Sequence, residues 1–461
     1  MASVSYWFLS PTVVLALLGK LKGADRTRPT PKFDWTKASV DVLVPAFNEE
    51  ATIALCLASL FEQDLAVRQV TMIDDASTDR TAQVVRRFCE LSGRQVELVR
   101  RETTAGKTAA LREIARSTDA DAVIVLDADT ILRERHHLSR LVEELFRNAG
   151  TASACGEVMP LTRRRRRSME KADARLATLA REFGSGAASG GPLPALLEFF
   201  TVIYRSALYT FLQRFLYDGH LKFCGTRLNP IGCAVAYRSA RLREVFDYAT
   251  PLLGDNLSNS EDVFIGHFFA WKGYKNAPVT GVRCESVEPG IFRLPRQLYF
   301  WSSSFLQAQY YFKDLPLSVF KPLKNAVTGL FGPSRSRAAN GADRRRVREQ
   351  YRLPWGEQHT RRDGRRAGWV DLLSMLEKIS YPLVLIYLAI FHPLAAAFTV
   401  ALEAALSTLT VFAFAESGDR FRSAACMVAA TPVRFLSLAV DLLAVGKYLL
   451  DLATGNRNWR K

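Results

Sequence analysis

Two aspartates separated by a single residue, Asp127 and Asp129, directly follow a short apolar run at 122–126. In an extended chain, side chains two residues apart point to the same side and lie about 7 Å apart. Two carboxylates at that separation repel each other unless a cation lies between them or one of them is protonated. Hard divalent cations prefer oxygen ligands and bind diphosphate oxygens. The pair therefore predicts a metal–diphosphate site, with a turn or helix cap of solvated carboxylates as the alternative.

Further polar residues could complete such a site. Asp75 follows the apolar run 70–73, and Lys107 opens a segment with helical spacing of apolar residues. Glu261 and Asp262 precede a second helix-like apolar run. This acidic pair fits the first turn of an ordinary helix, or it includes a general base that takes a proton from an acceptor hydroxyl.

The elements that must position these side chains alternate between strand and helix patterns from residue 40 onward. This alternation predicts an α/β, Rossmann-like domain with a mainly parallel sheet. Ligands of such sheets bind at the carboxyl ends of the strands, where Asp75 and Asp127 both lie. No strand is followed by the Gly-x-Gly-x-x-Gly of dinucleotide-binding folds. The predicted strands are 40–45, 70–73, 96–99 and 122–126, and the predicted helices are 49–61, 81–91 and 107–116.

Both ends of the chain are apolar enough to meet a membrane. Residues 6–18 are followed by basic residues. If they span the membrane, the basic residues place the chain that follows in the cytoplasm. The alternative is an interfacial helix, since a span needs about 20 residues. Residues 381–415, broken near Pro393, predict two short or tilted spans. Residues 424–453 carry four charged residues, which need partners in a helix bundle or an interfacial position. We expect a multi-pass protein of the inner (plasma) membrane with a cytosolic catalytic domain.

Composition narrows the classes of partner. A formal net charge of +16 suits anionic lipid, a phosphate-bearing substrate or nucleic acid. No zinc-finger spacing, RNP-like motif or basic helix with heptads is present, so no nucleic-acid partner is expected. The seven cysteines are scattered without a Cys-x-x-Cys pair, which favours a reducing compartment. The arginine run at 163–167 predicts a solvated surface, with contact to anionic lipid as the alternative.

In this order and spacing, the motifs resemble the inverting glycosyltransferase family 2, particularly its membrane-bound cellulose, chitin and hyaluronan synthases. The resemblance covers residues 38–310. It implies a GT-A-type catalytic domain joined to α-helical transmembrane segments. The segments that carry it are 44–50 (Val-Pro-Ala-Phe-Asn-Glu-Glu), 74–79, 106–111, 127–129, 261–262 and 297–301 (Gln-Leu-Tyr-Phe-Trp), the last similar to a Gln-x-x-Arg-Trp element.

The resemblance implies a donor side built from five residues. Asp75 would recognise uracil or another base, with Phe47 and Glu49 lining the same pocket. Lys107 would approach the diphosphate, and Asp127 would contact the nucleoside. The donor implied is a nucleotide-sugar, and a UDP-sugar above all.

The resemblance also implies a metal ligand and an acceptor side. Asp129 would bind Mg²⁺ or Mn²⁺, which stabilises the departing diphosphate. Asp262 would be the general base, with Glu261 and Gln297 on the acceptor side. Trp301 would stack against the acceptor sugar at the mouth of a channel.

One departure from the family pattern bears on the reaction. The arginine that precedes the tryptophan in the family, and that helps to hold the diphosphate, is Phe300 here. Arg293 or Arg296 could take its place. The predicted function is elongation of a polysaccharide, and the alternative is a single addition to a lipid-linked acceptor. A non-catalytic membrane scaffold is the third possibility, which the intact acidic residues oppose. Expected partners are the donor, a glycan or lipid-linked acceptor and membrane lipids, with any export partner left open.

These patterns divide the chain into five predicted parts. They are an N-terminal membrane helix and basic linker at 1–37, a cytosolic GT-A catalytic domain at 38–290, the Gln-x-x-x-Trp element with an interfacial helix at 291–332, a basic cytosolic loop at 333–368, and C-terminal transmembrane or interfacial helices at 369–461.

Overall fold

The computed structural model describes residues 8–23, 33–184, 192–254, 260–322, 324–325, 327 and 364–456. Of the basic residues that follow the first apolar run, Arg26, Arg28 and Lys32 lie outside these residues, as does most of the predicted loop 333–368. The strands are β1 Val40–Ala46, β2 Gln69–Asp74, β3 Glu97–Arg100, β4 Ala122–Leu126, β5 Thr130–Leu132, β6 Thr151–Pro160, β7 Ala234–Arg238 and β8 Lys275–Ser286.

All eight strands form one sheet, in the order β3-β2-β1-β4-β7-β6-β8-β5. β1 is parallel to β2 and β4, and β2 is parallel to β3. β7 is antiparallel to its neighbours β4 and β6, β8 is parallel to β6, and β5 is antiparallel to β8. Every residue of β4 is buried, as expected for a Val/Ile/Leu-rich strand covered on both faces. The predicted α/β fold with a mainly parallel sheet is confirmed, and the second half of the sheet is mixed.

Helices cover the sheet and continue beyond it. They are α1 Pro11–Lys22, α2 Ile53–Phe61, α3 Thr81–Ser92, α4 Lys107–Ser117, α5 His137–Arg147, α6 Arg163–Ala172, α7 Ala174–Phe183, α8 Pro192–Tyr209, α9 Tyr217–Cys224, α10 Ser239–Leu253, α11 Glu261–Lys272, α12 Leu294–Tyr311, α13 Asp314–Leu317, α14 Ala367–Phe391, α15 Pro393–Phe414 and α16 Arg420–Thr454. A π-helical segment, Thr210–Leu216, joins α8 to α9 without a break. The predicted strands and helices are found within a few residues, except that α2 starts later because the chain turns after β1.

Four helices among the described residues are long and apolar enough to cross a membrane. Three of them are α14, α15 and α16, and the fourth extends from α8 through α9. The break between α14 and α15 falls at His392, as predicted. The charges on these helices have partners, as their burial requires: Arg434 lies 3.3 Å from Glu403, and Lys378 lies 2.6 Å from Asp441. The number of spans stays a prediction.

The first helix packs tightly against the helix that follows the π-helical segment. A Cβ added at Gly19 of α1 would lie 1.9 Å from the carbonyl oxygen of Gly219 in α9. Only glycine therefore permits this approach of the two backbones. Glu377 of α14 accepts hydrogen bonds from the amide and hydroxyl of Thr12, at 2.6 and 2.8 Å. These contacts join the N-terminal helix to both α9 and α14.

The arginine run at 163–167 is solvated only in part, so that prediction was wrong for three of its five residues: Arg164 and Arg167 are exposed, and the other three pair with carboxylates. Arg163 and Arg166 lie 2.6 and 2.8 Å from the carboxylate of Glu198 on α8, and Arg166 is buried. Arg165 lies 3.2 Å from Glu285. The carboxylates that bind these guanidinium groups come from distant parts of the chain, so the local composition could not predict them.

Candidate active site

The turns after β1 and β2 hold each other in place. Asn48 and Ala76 adopt left-handed backbone conformations, with φ of 57° and 63°. Asparagine tolerates this region because its side chain forms local hydrogen bonds. The Asn48 amide donates to the Ser77 hydroxyl at 2.9 Å, and its side-chain oxygen accepts from the Thr78 amide at 2.8 Å. The two crossed turns position Phe47, which is half exposed, beside the end of β2.

Asp75 is fixed at the end of β2 by the loop that precedes α4. One carboxylate oxygen accepts from Arg101 at 2.7 Å and from the Ala105 amide at 2.9 Å, and the other accepts from the Gly106 amide at 2.8 Å. Burial by itself raises the pKa of Asp75, but these hydrogen bonds outweigh it and hold the pKa below its usual value. Asp75 is therefore an ionised acceptor at neutral pH.

Lys107 lies at the first position of α4 and joins three parts of the chain. Its ammonium group lies 2.6 Å from Asp127 at the end of β4 and 2.8 Å from Glu261 at the start of α11. It also donates to the carbonyl of Gly232 at 3.1 Å. Burial alone would lower the pKa of Lys107, but the two carboxylates raise it well above its usual value. The lysine is a fixed positive charge where an anionic group of a ligand could bind.

Asp129 carries the charge that is least compensated. Burial, followed by the negative charges of Asp127 and Glu49, raises the pKa of Asp129 to about 8. Burial likewise raises the pKa of Glu49, against a hydrogen bond from Thr52. A divalent cation would relieve this repulsion, because it favours the ionised form of each carboxylate.

The carboxylates fit a divalent cation that is shared with a ligand. Among the residues that the structure describes, no group of three or more His, Cys, Asp or Glu side chains could hold a metal ion by itself. Mg²⁺ commonly binds through one or two carboxylates and completes its shell with substrate phosphates and water. Since Lys107 already pairs with Asp127, Asp129 is the residue best placed to bind such an ion.

Asp262 follows Glu261 in the first turn of α11. Its Oδ1 accepts hydrogen bonds from the Ser260 hydroxyl and, at 2.9 Å, from the Val263 amide. The carboxylate also packs against Gly232, where an added Cβ would lie 3.0 Å from Oδ2. The helix start and the glycine together hold this side chain in one orientation.

Seven of the ten predicted site residues line a single cleft at the carboxyl ends of β1, β2 and β4. The cleft is also bordered by α4 and α10. Asp262 lies at its edge beside Glu261, and Gln297 and Trp301 belong to a second cluster. The predicted residues that line the cleft are Phe47, Glu49, Asp75, Lys107, Asp127, Asp129 and Glu261.

The second cluster is organised by Arg205, which the sequence analysis missed. Its guanidinium donates to the side-chain oxygen of Gln297 and lies 4.3 Å from the centre of the Trp301 ring. It is fully buried and lies 3.1 Å from Glu288, which also accepts from the Tyr209 hydroxyl at 2.7 Å. A signal was available, because Arg205 is the one charged residue between positions 199 and 212.

The second cluster is connected to the candidate metal ligand, Asp129, through a backbone hydrogen bond. Glu288 follows Val287, whose amide donates to the backbone carbonyl of Asp129 at 3.3 Å. Arg296 stacks over Phe300, with 5.3 Å between the guanidinium carbon and the ring centre. Neither Arg296 nor Arg293 lines the cleft, so nothing in this geometry assigns either one to the diphosphate.

Comparison with known proteins agrees with this geometry. Residues 41–224 match the model of the glycosyl transferase family 2. This part of the chain is a family 2 glycosyltransferase domain. The sheet described above is accordingly of the GT-A type, with long apolar helices appended to it.

Curated relatives of the family 2 domain are similar over only part of their length. A 4,4'-diaponeurosporenoate glycosyltransferase from Staphylococcus haemolyticus is 34% identical over 24% of this chain and 30% of its own. An N-acetylglucosaminyltransferase from Rhizobium leguminosarum bv. viciae is 31% identical over 29% of each chain. A poly-beta-1,6-N-acetyl-D-glucosamine synthase from Staphylococcus epidermidis is 28% identical over 20% of this chain and 22% of its own. The matches thus span less than a third of these relatives.

Among solved structures, a mannosyltransferase from Pyrobaculum calidifontis, in complex with GDP-Man and Mn²⁺, is similar over most of its length. It covers 92% of this chain and 94% of its own, with 16% sequence identity and a TM-score of 0.48.

Proposed function

We propose that the chain is a membrane-bound, inverting glycosyltransferase that uses a nucleotide-sugar donor and a divalent metal. The observation that carries this proposal is the convergence of a partly buried lysine and five carboxylates in one cleft at the strand ends. A diphosphate needs a cationic partner, and a shared divalent ion needs a carboxylate beside it. The family 2 domain supports the same reaction class.

On the donor side, we assign the base to the pocket formed by Phe47, Glu49 and Asp75. A half-exposed aromatic ring beside an ionised carboxylate suits a base that stacks and donates N–H groups, and uracil is our first candidate. Lys107 binds the diphosphate, and Asp127 orients the nucleoside. Asp129 holds Mg²⁺ or Mn²⁺, which would supply positive charge to the departing diphosphate.

On the acceptor side, Asp262 is the general base. The acceptor hydroxyl oxygen forms a bond to the anomeric carbon while the bond from that carbon to the diphosphate oxygen breaks. The hydroxyl proton moves to the Asp262 carboxylate, and the nucleoside diphosphate leaves with its bonding electrons. Glu261 holds Lys107 beside this base.

The acceptor sugar stacks on Trp301, and Arg205 orients this ring, a role different from the diphosphate contact of the arginine that the family has at 300. Arg205 is buried and paired with Glu288, so it orients Trp301 and Gln297 rather than touching a diphosphate. A guanidinium stacked on an indole ring restricts its rotation. We place the catalytic domain in the cytosol, on the inner (plasma) membrane.

Elongation of a polysaccharide is our first candidate among transferases of this kind. The Gln297/Trp301 element supports it, as does the name of the poly-beta-1,6-N-acetyl-D-glucosamine synthase among the relatives. A single addition to a lipid-linked acceptor is the second candidate, favoured by the apolar groove described below and by the missing arginine at 300. Polymer formed without added lipid supports elongation, whereas one sugar on an extracted lipid supports the second candidate.

A screen of nucleotide-sugars for metal-dependent release of the nucleoside diphosphate tests the proposal. We expect release with at least one donor in Mg²⁺ or Mn²⁺, and loss of the release with EDTA. Asp129→Asn should abolish the metal-dependent release, and Asp64→Asn, at an exposed aspartate far from the cleft, should not. Equal release from both variants would remove Asp129 from the reaction.

A further inference from the structure

An apolar groove lies between α8 and α16, and none of its lining residues belongs to the candidate active site. Its apolar walls include Phe199, Val202 and Ile203 of α8 and Ala425 and Ala429 of α16. The Phe199 side chain is 57% exposed, so the groove opens outward rather than into the core. Both helices are long and apolar enough to cross a membrane. A hydrocarbon chain is therefore the ligand that suits these walls.

One end of the groove is basic. Arg163, at the start of α6, and Arg422, in the first turn of α16, both line it. Arg163 and Arg166 share the carboxylate of Glu198. The charged residues that line the groove are thus two arginines and one glutamate, which leaves a net charge of +1. An amphiphile with an anionic headgroup matches the charge, and a phosphate matches the planar guanidinium donors best.

The basic end lies close to the candidate metal site. The Leu161 amide, two residues before Arg163, donates to the carbonyl of Ser286 at 2.8 Å. Ser286 pairs in turn with Thr130, the residue that follows Asp129. Two strand spacings amount to about 10 Å. A headgroup bound at this end is therefore near the carboxyl edge of the sheet, where the sugar is transferred.

We propose that the groove binds the hydrocarbon chain of a lipid phosphate, with the phosphate at Arg163 and Arg422, and that this lipid is an acceptor of the transferred sugar. In that reaction an ionised phosphate oxygen forms the bond to the anomeric carbon while the bond from that carbon to the diphosphate oxygen breaks, and the nucleoside diphosphate leaves with its bonding electrons. Binding in the groove is independent of the proposed function, whereas the role of the lipid as acceptor rests on it. Arg205, which stacks on the tryptophan of the acceptor element, lies about a quarter turn around α8 from the residues that line the groove, so one helix borders both the groove and the acceptor side.

Cys426, which lines the groove, provides a readout that does not depend on activity. The full chain in neutral detergent is treated with N-ethylmaleimide, and modification of each cysteine is followed by peptide mass spectrometry. We expect hexadecyl phosphate to slow modification of Cys426 severalfold and to leave Cys89, on α3, unchanged. Hexadecanol and hexadecyltrimethylammonium should protect Cys426 far less. Equal protection by all three amphiphiles would overturn the phosphate assignment.

Variants test the two ends of the groove separately. Arg422→Gln should raise the half-protecting concentration of hexadecyl phosphate about tenfold, as expected for one lost charge-assisted hydrogen bond. Arg420→Gln, at an exposed arginine that does not line the groove, is the matched control. Ala429→Trp should fill the groove and remove protection, whereas Ala439→Trp, exposed elsewhere on α16, should not. Equal behaviour within either pair contradicts the proposal.

The two parts of the proposal fail in different ways. The acceptor role alone would be contradicted by a protein that still transfers sugar to another acceptor but transfers none to a long-chain alkyl phosphate, although that phosphate protects Cys426. No release of nucleoside diphosphate from any donor would contradict the proposed function and leave the binding result standing. A phospholipid that protects as well as hexadecyl phosphate would contradict the assignment to an acceptor lipid.

Discussion

Replacement of Arg205 by methionine tests the buried cluster behind the acceptor element. Methionine keeps much of the volume and removes the charge. Arg205 and Glu288 have 0% and 3% of their side chains exposed and lie 3.1 Å apart, so the variant leaves a carboxylate buried without its cation. Removing one partner of such a pair costs about 3–5 kcal/mol, out of a typical free energy of unfolding of about 5–15 kcal/mol. We expect a large loss of stability, measured by denaturant unfolding in detergent.

A second replacement distinguishes the lost charge pair from lost packing. Arg205→Met combined with Glu288→Gln removes both charges and should recover a large part of the stability that the single variant loses, because no buried charge then lacks a partner. Arg205→Lys is a further control that keeps the charge. A double variant no more stable than Arg205→Met would refute the pairing argument and leave only packing.

The pH dependence gives an independent check with a definite sign. Burial raises the pKa of Glu288, and the charge of Arg205 opposes that rise, so the pKa rises further in Arg205→Met. A carboxyl group whose pKa is higher in the folded state stabilises the fold at low pH, and this contribution is lost as pH rises through the folded-state pKa. The stability difference between the native protein and Arg205→Met should therefore be larger at about pH 8 than at about pH 5. A difference that grows on acidification would contradict this account.

Two further predictions concern the cleft. Glu261→Gln should tighten donor binding severalfold, measured by titration with the nucleoside diphosphate. The reason is that one carboxylate fewer then competes with the diphosphate for the ammonium group of Lys107. Unchanged or weaker binding would show that the Lys107–Glu261 pair does not restrain the lysine. Gly232→Ala should lower kcat more than tenfold with little change in donor KM, because the added Cβ would lie about 3 Å from the Asp262 carboxylate. Gly290→Ala is the control and should be neutral, because an added Cβ there meets nothing within 4 Å. Equal kcat for these two alanine variants would remove Asp262 from the rate-limiting step.

The donor side of the cleft could be predicted from the sequence because its residues lie at strand ends. Once strands are predicted at 70–73 and 122–126, the parallel sheet brings Asp75 and Asp127 to one edge, whatever the details of packing. The second cluster could not be predicted in this way. Arg205 meets Glu288 and Trp301 across 83 and 96 residues of chain, and those contacts depend on how α8 packs against the sheet and α12.

Local composition failed for the same reason at the arginine run. Five consecutive basic residues are usually solvated, yet Arg163 and Arg166 meet Glu198, which lies on a different helix. Charged residues within apolar helices allowed a more reliable prediction of ion pairs, because a buried charge is unfavourable unless it is paired. The four charged residues at 424–453, on α16, were predicted to need either partners in a helix bundle or an interfacial position. Arg434 and Asp441 have such partners in Glu403 of α15 and Lys378 of α14.

Lys107 connects the donor and acceptor sides of the cleft, and its hydrogen bonds constrain how a donor can bind. An ammonium group has three donors, and here they face Asp127, Glu261 and the carbonyl of Gly232. A diphosphate oxygen can accept a hydrogen bond from Lys107 only if the lysine gives up one of these three partners. Release of Asp127 would free a carboxylate beside Asp129, where a metal bound to the same diphosphate needs it. Release of the Gly232 carbonyl would instead loosen the segment that packs against Asp262. Binding of the donor and positioning of the base therefore both involve Lys107, but through different partners: a change at Glu261 alters how readily the lysine binds the donor, whereas a change at Gly232 alters the segment that holds the base.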